Sequence, residues 1–291
     1  MSSPDVSPRA IPSLPSWKLR TRPLAAGRLP LLMGIVNVTP DSFSDGGRYV
    51  DPARAVAHGL RLAAEGADLL DIGGQSTRPG SEPVAPDEEC RRVLPVVAAL
   101  CAQTDVPLSV DTSRTLVARE ALGAGAEAIN DVTAFSAEAE LLAVAAESGC
   151  GLCAMHARGT PRTMQQDPVY EDVVQEVFDY LRQRRDVLLA AGIESARIAL
   201  DTGIGFGKTT AHNLALLSQA GRFHSLGCPL LVGPSRKRFI GQVLGNTAAD
   251  RTAGTIGVCL ALARQGVQVL RVHDVAAVRQ ALLLLDACGG Q

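Results

Sequence analysis

The stretch Leu31–Ile72, LLMGIVNVTPDSFSDGGRYVDPARAVAHGLRLAAEGADLLDI, has the pattern of a strand, a helix and a second strand. Its first eight residues are apolar apart from Asn37 and do not alternate with polar residues, which is typical of a strand buried on both faces. Asp51 and Pro52 predict the N-cap and first turn of a helix, and Gly66 predicts its end. The stretch therefore predicts a strand–helix–strand unit of a parallel sheet.

The same pattern recurs along the 291 residues. Each predicted strand is a short run rich in Val, Ile, Leu or Ala, and a helical segment follows it. The runs are Leu31–Val38, Asp68–Ile72, Pro107–Val110, Glu127–Ile129, Gly151–Met155, Arg197–Leu200, Pro229–Val232 and Val267–Val272. Eight such units predict the α/β class and a single (β/α)8 TIM barrel over residues 31–291. An open Rossmann-type sheet is the alternative, but its glycine fingerprint is missing after the first strand.

Composition and charge narrow the functional classes. Hydrophobic residues make up 46% of the chain and the net charge is −2, so we expect neither a nucleic-acid nor a membrane-surface partner. No apolar run approaches the roughly 18 residues that span a bilayer. Residues 1–30 are rich in Ser, Pro and Arg, and we expect an N-terminal tail or a barrel-bottom segment there. The seven cysteines predict free thiols and a cytoplasmic location. The CxxC of Cys150 and Cys153 lies on a predicted strand, where its two thiols face opposite sides.

Polar residues end the predicted strands. In chain order they are Asn37, Asp71, Asp111, Asn130, His156, Asp201, Ser235 and His273. Each alone is explained equally well as a helix cap. Because the carboxyl ends of barrel strands meet at one mouth, the whole set predicts an active site there.

The predicted mouth has two kinds of group. Three residues offer acceptors suited to a flat ring with an amino-amide edge: Asp111, Asn130 and Asp201. The last two strands bring positive charge or donors for an anion: Lys237, Arg271 and His273. The start of a helix after Ser235-Arg236-Lys237 also favours anion contact, with a basic solvated helix start as the alternative. The stretch TGIGFGKT (Thr202–Thr209) approaches a Walker A motif, but its first glycine is one residue too close for that spacing.

Two long polar loops follow the first two predicted strands. Thr39–Gly47 and Gly73–Gly80 are rich in Gly, Pro and Ser and exceed the usual length of about two to six residues. Such loops are typical of mobile lids, and Phe43 and Arg78 are the large side chains able to cover a substrate.

Together these motifs resemble the dihydropteroate synthases, in order from about residue 32 to the C-terminus. The matching segments are NVTPDSFSDGG (Asn37–Gly47), DIGGQSTRPG (Asp71–Gly80), DTS (Asp111–Ser113), ND (Asn130–Asp131), MHARGTPRTMQ (Met155–Gln165), DTGIGFGK (Asp201–Lys208), SRKRFIG (Ser235–Gly241) and RVHD (Arg271–Asp274). Gln75, Thr202 and Ala157–Arg158 depart from the family's usual residues, which leaves the ordering of the second loop open.

The resemblance implies a reaction and a set of roles. Displacement of the pyrophosphate of 6-hydroxymethyl-7,8-dihydropterin by the amine of p-aminobenzoate would give 7,8-dihydropteroate in a Mg²⁺-assisted, SN1-like step within a homodimer. The implied pterin ligands are Asp111, Asn130, Asp201, Lys237 and Arg271. The implied p-aminobenzoate ligands are Phe43, Thr77, Arg78, Pro79 and Ser235. The implied pyrophosphate ligands are Asn37, Arg78, Arg271 and His273. Asn37 would also reach the metal, and the implied catalytic residues are Lys237, Arg271, His273 and Asn37.

Two alternatives from other classes stay open. A pterin-binding methyl-transfer module would keep Asp111, Asn130 and Asp201 but has no need of Ser235–Lys237 or of two lids. A catalytically inactive pterin-binding protein has no need of the anion ligands.

Overall fold

The computed structural model describes residues 16–39, 51–76, 80–160 and 162–289, and its strands form a closed barrel of eight parallel strands. In chain order the strands are β1 Leu31–Asn37, β2 Leu69–Gly73, β3 Leu108–Asp111, β4 Ala128–Asp131, β5 Gly151–Met155, β6 Ile198–Asp201, β7 Leu230–Val232 and β8 Val269–Val272. Each strand pairs with its neighbours in sequence, and β8 closes the barrel by pairing Val269 with Leu31 of β1. The predicted TIM barrel is confirmed, and the open sheet is excluded.

Helices connect the strands on the outside of the barrel. They are α1 Pro52–Ala64, α2 Pro86–Cys101, α3 Thr115–Gly123, α4 Ala139–Ser148, α5 Val173–Ala190, α6 Thr210–Ser218, α7 Arg238–Val243, α8 Thr252–Arg264 and α9 Val275–Ala287. The Asp51 carboxylate accepts hydrogen bonds from the backbone N–H groups of Ala53 and Arg54, so the predicted N-cap of α1 is confirmed. Among the described residues, no helix combines the length and the apolar character needed to span a membrane.

The core has two layers. The inner layer, inside the barrel, takes one side chain from each of seven strands: Met33, Leu69, Ala128, Cys153, Ala199, Leu231 and Val269. The outer layer lies between the barrel and the helices and contains Cys150. The two cysteines of the CxxC therefore lie in different layers, as strand alternation predicts, and all seven cysteines are free thiols.

An N-terminal hairpin covers the other end of the barrel. Its two short strands, Trp17–Lys18 and Pro23–Leu24, pair antiparallel. Trp17 and Leu19 are almost completely buried in the inner layer. The Trp17 indole N–H donates to the carbonyl of Arg197, which directly precedes β6, at 3.0 Å. The hairpin thus closes the amino-terminal end and leaves the carboxyl ends of the strands to form the site.

Candidate active site

The carboxyl ends of the strands surround a cavity of about 1160 Å³. Six of the residues predicted for the site line it: Asn37, Asp111, Ser235, Lys237, Arg271 and His273. Asn130 and Asp201 adjoin this lining and are buried, at 5% and 6% exposure. The barrel therefore brings together eight predicted residues that are scattered over most of the sequence.

Arg271 is the central cation of the site. Its Nε donates to Oδ2 of Asp71 at 2.6 Å, and its Nη2 donates to Oδ2 of Asp111 at 2.9 Å. The Asn130 amide donates to the same Asp71 oxygen at 2.9 Å. The sequence predicted Asp71 at the mouth but gave it no role. Spacing along the chain does not show which strand ends come close enough for their side chains to form hydrogen bonds. Register supplies that information, since β2 lies two strands from β8 and two from β4.

The two other acidic side chains of the site are poorly hydrated. Burial raises the pKa of Asp201 to about 6, against the hydrogen bond of 2.7 Å that its Oδ1 accepts from the Gly203 N–H. Burial also raises the pKa of Asp111 to about 7, although the Arg271 guanidinium opposes the shift. Desolvated carboxylates of this kind form strong hydrogen bonds with N–H donors of a ligand.

Lys237 and Phe206 form one wall of the cavity. The Lys237 ammonium lies 4.2 Å from the centroid of the Phe206 ring, within the range of a cation–π contact. Burial, followed by repulsion from Arg271, lowers the pKa of Lys237 to about 8. The sequence did not single out Phe206, because it lies inside the glycine-rich stretch Thr202–Thr209, whose spacing bears only on phosphate binding.

His273 contributes a neutral ring rather than a charge. Burial, with repulsion from Arg271 next in size, lowers its pKa to about 3. Its Nδ1 lies 3.0 Å from the Ser235 hydroxyl oxygen, which also accepts a hydrogen bond from the His273 backbone N–H. Of the two contributions predicted for His273, positive charge or a donor, only the donor fits this environment near pH 7.

The basic residues before α7 differ in whether their charge is paired with an acidic side chain. Arg236 donates from Nε to Asp274 at 3.0 Å, so its guanidinium is paired. Ser235 and Lys237 are buried or half-buried beside the cavity. The anion contact predicted at this helix start stays a prediction, and Ser235 and Lys237 line the cavity where it would form.

Two glycines in the loop after β6 allow its backbone to pack closely against the backbone of the loop after β5. Gly203 has φ of +66°, and a Cβ there would lie 1.8 Å from the carbonyl oxygen of His156. Gly207 has φ of +64°, and a Cβ there would lie 2.2 Å from the carbonyl oxygen of Arg158. The Lys208 ammonium is buried and lies 2.9 Å from Nδ1 of His156. The Walker-like spacing thus reflects close packing of two loops rather than a phosphate cradle.

His156 is an exception among the predicted mouth residues. Its ring contacts Lys208 and packs edge-on against Tyr180, with centroids 4.9 Å apart. It lines a separate cleft on the side of α5, not the main cavity. His156 thus follows its strand end directly, as predicted, but its ring lies beside the buried lysine and faces this cleft rather than the main cavity.

Several predicted residues fall outside the described part of the chain: Phe43, Thr77, Arg78 and Pro79. The described part of the second loop includes Gln75, whose side-chain oxygen accepts from the Val84 N–H at 3.3 Å. The neutral amide thus makes a contact within its own loop.

Asn37 is the residue that was predicted to reach a metal ion. In the part of the chain that the structure describes, no cluster of three or more His, Cys, Asp or Glu side chains could bind a metal. Asn37 supplies one amide oxygen at the cavity edge. Mg²⁺ commonly keeps several waters and binds through one or two protein groups plus substrate phosphates, so a lone amide fits it.

The fold and the site define a class: a barrel enzyme whose cavity, at the carboxyl ends of the strands, brings buried carboxylate and amide groups next to cationic side chains. A family model described as pterin binding enzyme matches residues 33–273. The dihydropteroate synthase of Neisseria meningitidis serogroup B is 47% identical over 266 residues, covering 89% of this chain and 93% of that protein.

Solved structures agree. The Xanthomonas albilineans dihydropteroate synthase with 4-aminobenzoic acid has a TM-score of 0.88 at 47% identity, covering 96% of this chain and 99% of the other. The Yersinia pestis enzyme in a sulfonamide drug complex has a TM-score of 0.88 at 41% identity, covering 95% of this chain and all of the other. The chain belongs to the dihydropteroate synthase family.

Proposed function

We propose that this chain joins 6-hydroxymethyl-7,8-dihydropterin pyrophosphate to p-aminobenzoate and releases 7,8-dihydropteroate and pyrophosphate. One observation carries the proposal: the desolvated Asp111 lines one cavity with the cations Lys237 and Arg271, and the buried Asp201 lies near enough to both cations to feel their charge. Family membership supports it, as does a 7,8-dihydropteroate complex of the Xanthomonas albilineans enzyme.

The pterin would bind at the buried acceptors. Asp111, Asn130 and Asp201 present carboxylate and amide groups to the N–H and C=O edge of the ring. Lys237 and Arg271 complete this set. Because the carboxylates are removed from water, each hydrogen bond to the ring discriminates strongly against a ligand lacking the donor.

The diphosphate would lie against Asn37, Arg271 and His273, with Arg78 from the second loop. Arg271 supplies permanent charge, and the neutral His273 ring supplies a hydrogen-bond donor. Asn37 would hold Mg²⁺, which when bound neutralises the charge that develops on the departing diphosphate.

The p-aminobenzoate would lie toward Ser235 and the two loops. Ser235 lies at the cavity beside the start of α7. The remaining residues proposed for this subsite are Phe43, Thr77, Arg78 and Pro79. A flat aryl ring also suits the Phe206 face on the same wall.

The displacement would be loose and SN1-like. As the bond from the exocyclic carbon to the diphosphate oxygen breaks, the electron-rich dihydropterin spreads the positive charge. The aniline nitrogen then forms the new C–N bond and loses one proton to solvent. The protein therefore needs to position the amine and exclude water more than to supply a strong base or a covalent nucleophile.

The direct experiment measures pyrophosphate release by the purified protein with the pterin substrate, with and without p-aminobenzoate and Mg²⁺. We expect release only when both are present, and competition between sulfonamides and p-aminobenzoate, because a sulfonyl-aniline copies its shape and charge. A methyl-transfer module or an inactive pterin-binding protein would bind the pterin but release no pyrophosphate. That result, or inhibition by sulfonamides that added p-aminobenzoate does not relieve, would overturn the proposal.

We also propose a cytoplasmic homodimer that pairs through outer helices of the C-terminal half. Leu283 and Leu284 on α9 are 54% and 66% exposed, which is unusual for adjacent leucines on a monomer surface. The free state of all seven cysteines favours a reducing compartment. Light scattering of the wild type and of Leu284→Glu tests the dimer. A monomeric wild type contradicts it.

A further inference from the structure

Asp71 is a buried carboxylate at the centre of the site to which the proposed reaction gives no role. It lies on β2, and its side chain is completely buried. Its backbone is in register with Ile35 of β1 and Ser109 of β3, which come two residues before Asn37 and Asp111 at the ends of those strands. Asp71 is completely buried, and within the described part of the chain it is not one of the residues that line the cavity.

A single oxygen of Asp71 holds two of the proposed ligands. Oδ2 accepts from Nε of Arg271 at 2.6 Å and from Nδ2 of Asn130 at 2.9 Å. The two donors come from β8 and β4, which lie on opposite sides of β2 in the barrel. One carboxylate oxygen thus sets the separation of a diphosphate ligand and a pterin ligand.

Arg271 has a second acidic partner, and this partner explains why the hydrogen bond from Arg271 to Asp71 matters. Arg271 also donates to Asp111, which the proposed reaction needs for the pterin. When a substrate N–H competes for Asp111, the contact to Asp71 still holds the guanidinium by its Nε. Arg271 then keeps its place while Asp111 changes partners.

In the part of the chain that the structure describes, Asp71 leaves a buried polar atom without a hydrogen-bond partner, which lowers the stability of the folded protein. Its other oxygen, Oδ1, is buried and accepts no hydrogen bond from the described residues, among which the hydroxyl of the register neighbour Ser109 also has no partner. A buried, partly unsatisfied carboxylate costs folding free energy. Retaining it is understandable if its orienting contacts are needed for function.

We infer that Asp71 is a positioning residue, which orients Arg271 and Asn130 without touching substrate. The inference rests on the proposed function of the site. It differs from that function in naming a residue that acts only through other side chains.

The test uses Asp71→Asn, which keeps the volume and removes the charge, and Asp71→Ala, which also removes the acceptor. Misplacement of reacting groups by about 1 Å lowers rates on the order of 100-fold, and we expect a loss of that size in kcat/KM for the pterin substrate. The loss should be larger for Ala than for Asn. KM for p-aminobenzoate should change much less, because neither Arg271 nor Asn130 belongs to the set proposed for that subsite.

Glu89→Gln is the matched control. Glu89 on α2 is also a buried carboxylate with one unpaired oxygen, but it has no hydrogen bond to Arg271 or Asn130. Because the Glu89 charge acts on Asp111 only as a smaller electrostatic contribution, we expect a far smaller change in pterin kcat/KM from this variant than from the Asp71 variants, whatever its thermal unfolding shows. Binding of the free pterin, followed by fluorescence titration, should weaken for both Asp71 variants even if their turnover is too slow to measure.

The outcomes separate the two proposals. If the wild type releases no pyrophosphate, the proposed function fails. If the wild type is active and Asp71→Asn and Asp71→Ala keep its pterin kcat/KM, the positioning role is overturned. An equal rise in KM for both substrates would also overturn it, because such a rise indicates a general structural defect.

Discussion

Individual side chains in this site are tuned by burial, which moves acids and bases in opposite directions. The carboxyl of Asp201 has its pKa raised to about 6, and the ammonium of Lys237 has its pKa lowered to about 8. Loss of water disfavours the charged form of each. Between about pH 6 and pH 8, Asp201 is an ionised acceptor while Lys237 is still a cation.

The pH dependence of kcat/KM for the pterin substrate should therefore be bell-shaped. Below about pH 7, protonation of Asp111 and then of Asp201 removes acceptors and activity falls. Above about pH 8, deprotonation of Lys237 removes a charge and activity falls again. Steady-state kinetics from pH 5 to 9.5 measures both limbs. An alkaline limb that Lys237→Arg leaves in place would exclude Lys237 as its source.

Removal of the Lys237 charge should slow the reaction. Lys237→Ala should cost about 2–4 kcal/mol of transition-state stabilisation, a fall in kcat/KM of roughly 30- to 1000-fold. Lys18→Ala is the control, because Lys18 is half-exposed and pairs with Glu194 near the opposite end of the barrel. Near-normal turnover of Lys237→Ala would refute the role.

At the scale of elements, the loop after β6 shows how a site is kept in shape. The carbonyl oxygens of Gly203 and Phe206 lie 2.9 and 3.0 Å from the buried ammonium of Lys208. The same ammonium contacts His156 at the end of β5. The loop is therefore fastened to its neighbour, which fixes Asp201 at its start and Phe206 on the cavity wall.

Substitution of Gly203 should disturb this loop strongly. Gly203→Ala adds a Cβ against the carbonyl of His156 in left-handed backbone, so we expect a loss of about 2–5 kcal/mol in the free energy of unfolding. Gly227→Ala is matched, because Gly227 has φ of +72° with open space around it. It should lose only about 1–2 kcal/mol. Urea denaturation compares them, and equal losses would show that the contact is easily relieved.

At the scale of the whole molecule, the barrel is closed at one end and open for chemistry at the other. The N-terminal hairpin places Trp17 and Leu19 inside the inner layer, so it behaves as part of the core rather than as an appendage. The polar network lies above this apolar layer. The closed end thus keeps water from reaching the buried carboxylates from below.

Leu19→Ala should destabilise the whole barrel. Loss of a fully buried leucine costs about 2–5 kcal/mol, whereas Leu189→Ala, on the partly exposed face of α5, should stay within about 0.5 kcal/mol. Trp17 is the only tryptophan in the chain and reports on the hairpin. We expect its fluorescence and the far-UV circular dichroism to change together in urea. An earlier fluorescence change would show that the hairpin unfolds separately.

The sequence allowed much of this architecture to be predicted, because strand burial and helix periodicity are local patterns. The runs predicted as strands match β1 to β8 within a few residues, and β5 matches at Gly151–Met155 without change. The short strands of the N-terminal hairpin were not predicted, since two-residue strands carry no periodicity. Phe206 and Lys208 were visible only as members of a glycine-rich motif.

The sequence by itself determined the barrel, the family and the chemical types at the strand ends, since those depend on residue identity and order. Only the tertiary structure decided which ends meet. It placed the His156 ring beside Lys208, paired Arg236 with Asp274, and joined Asp71 to Arg271 and Asn130 by hydrogen bonds. Such contacts join residues far apart in the chain, and the barrel's register and burial, which fix them, are properties of the closed sheet rather than of any segment.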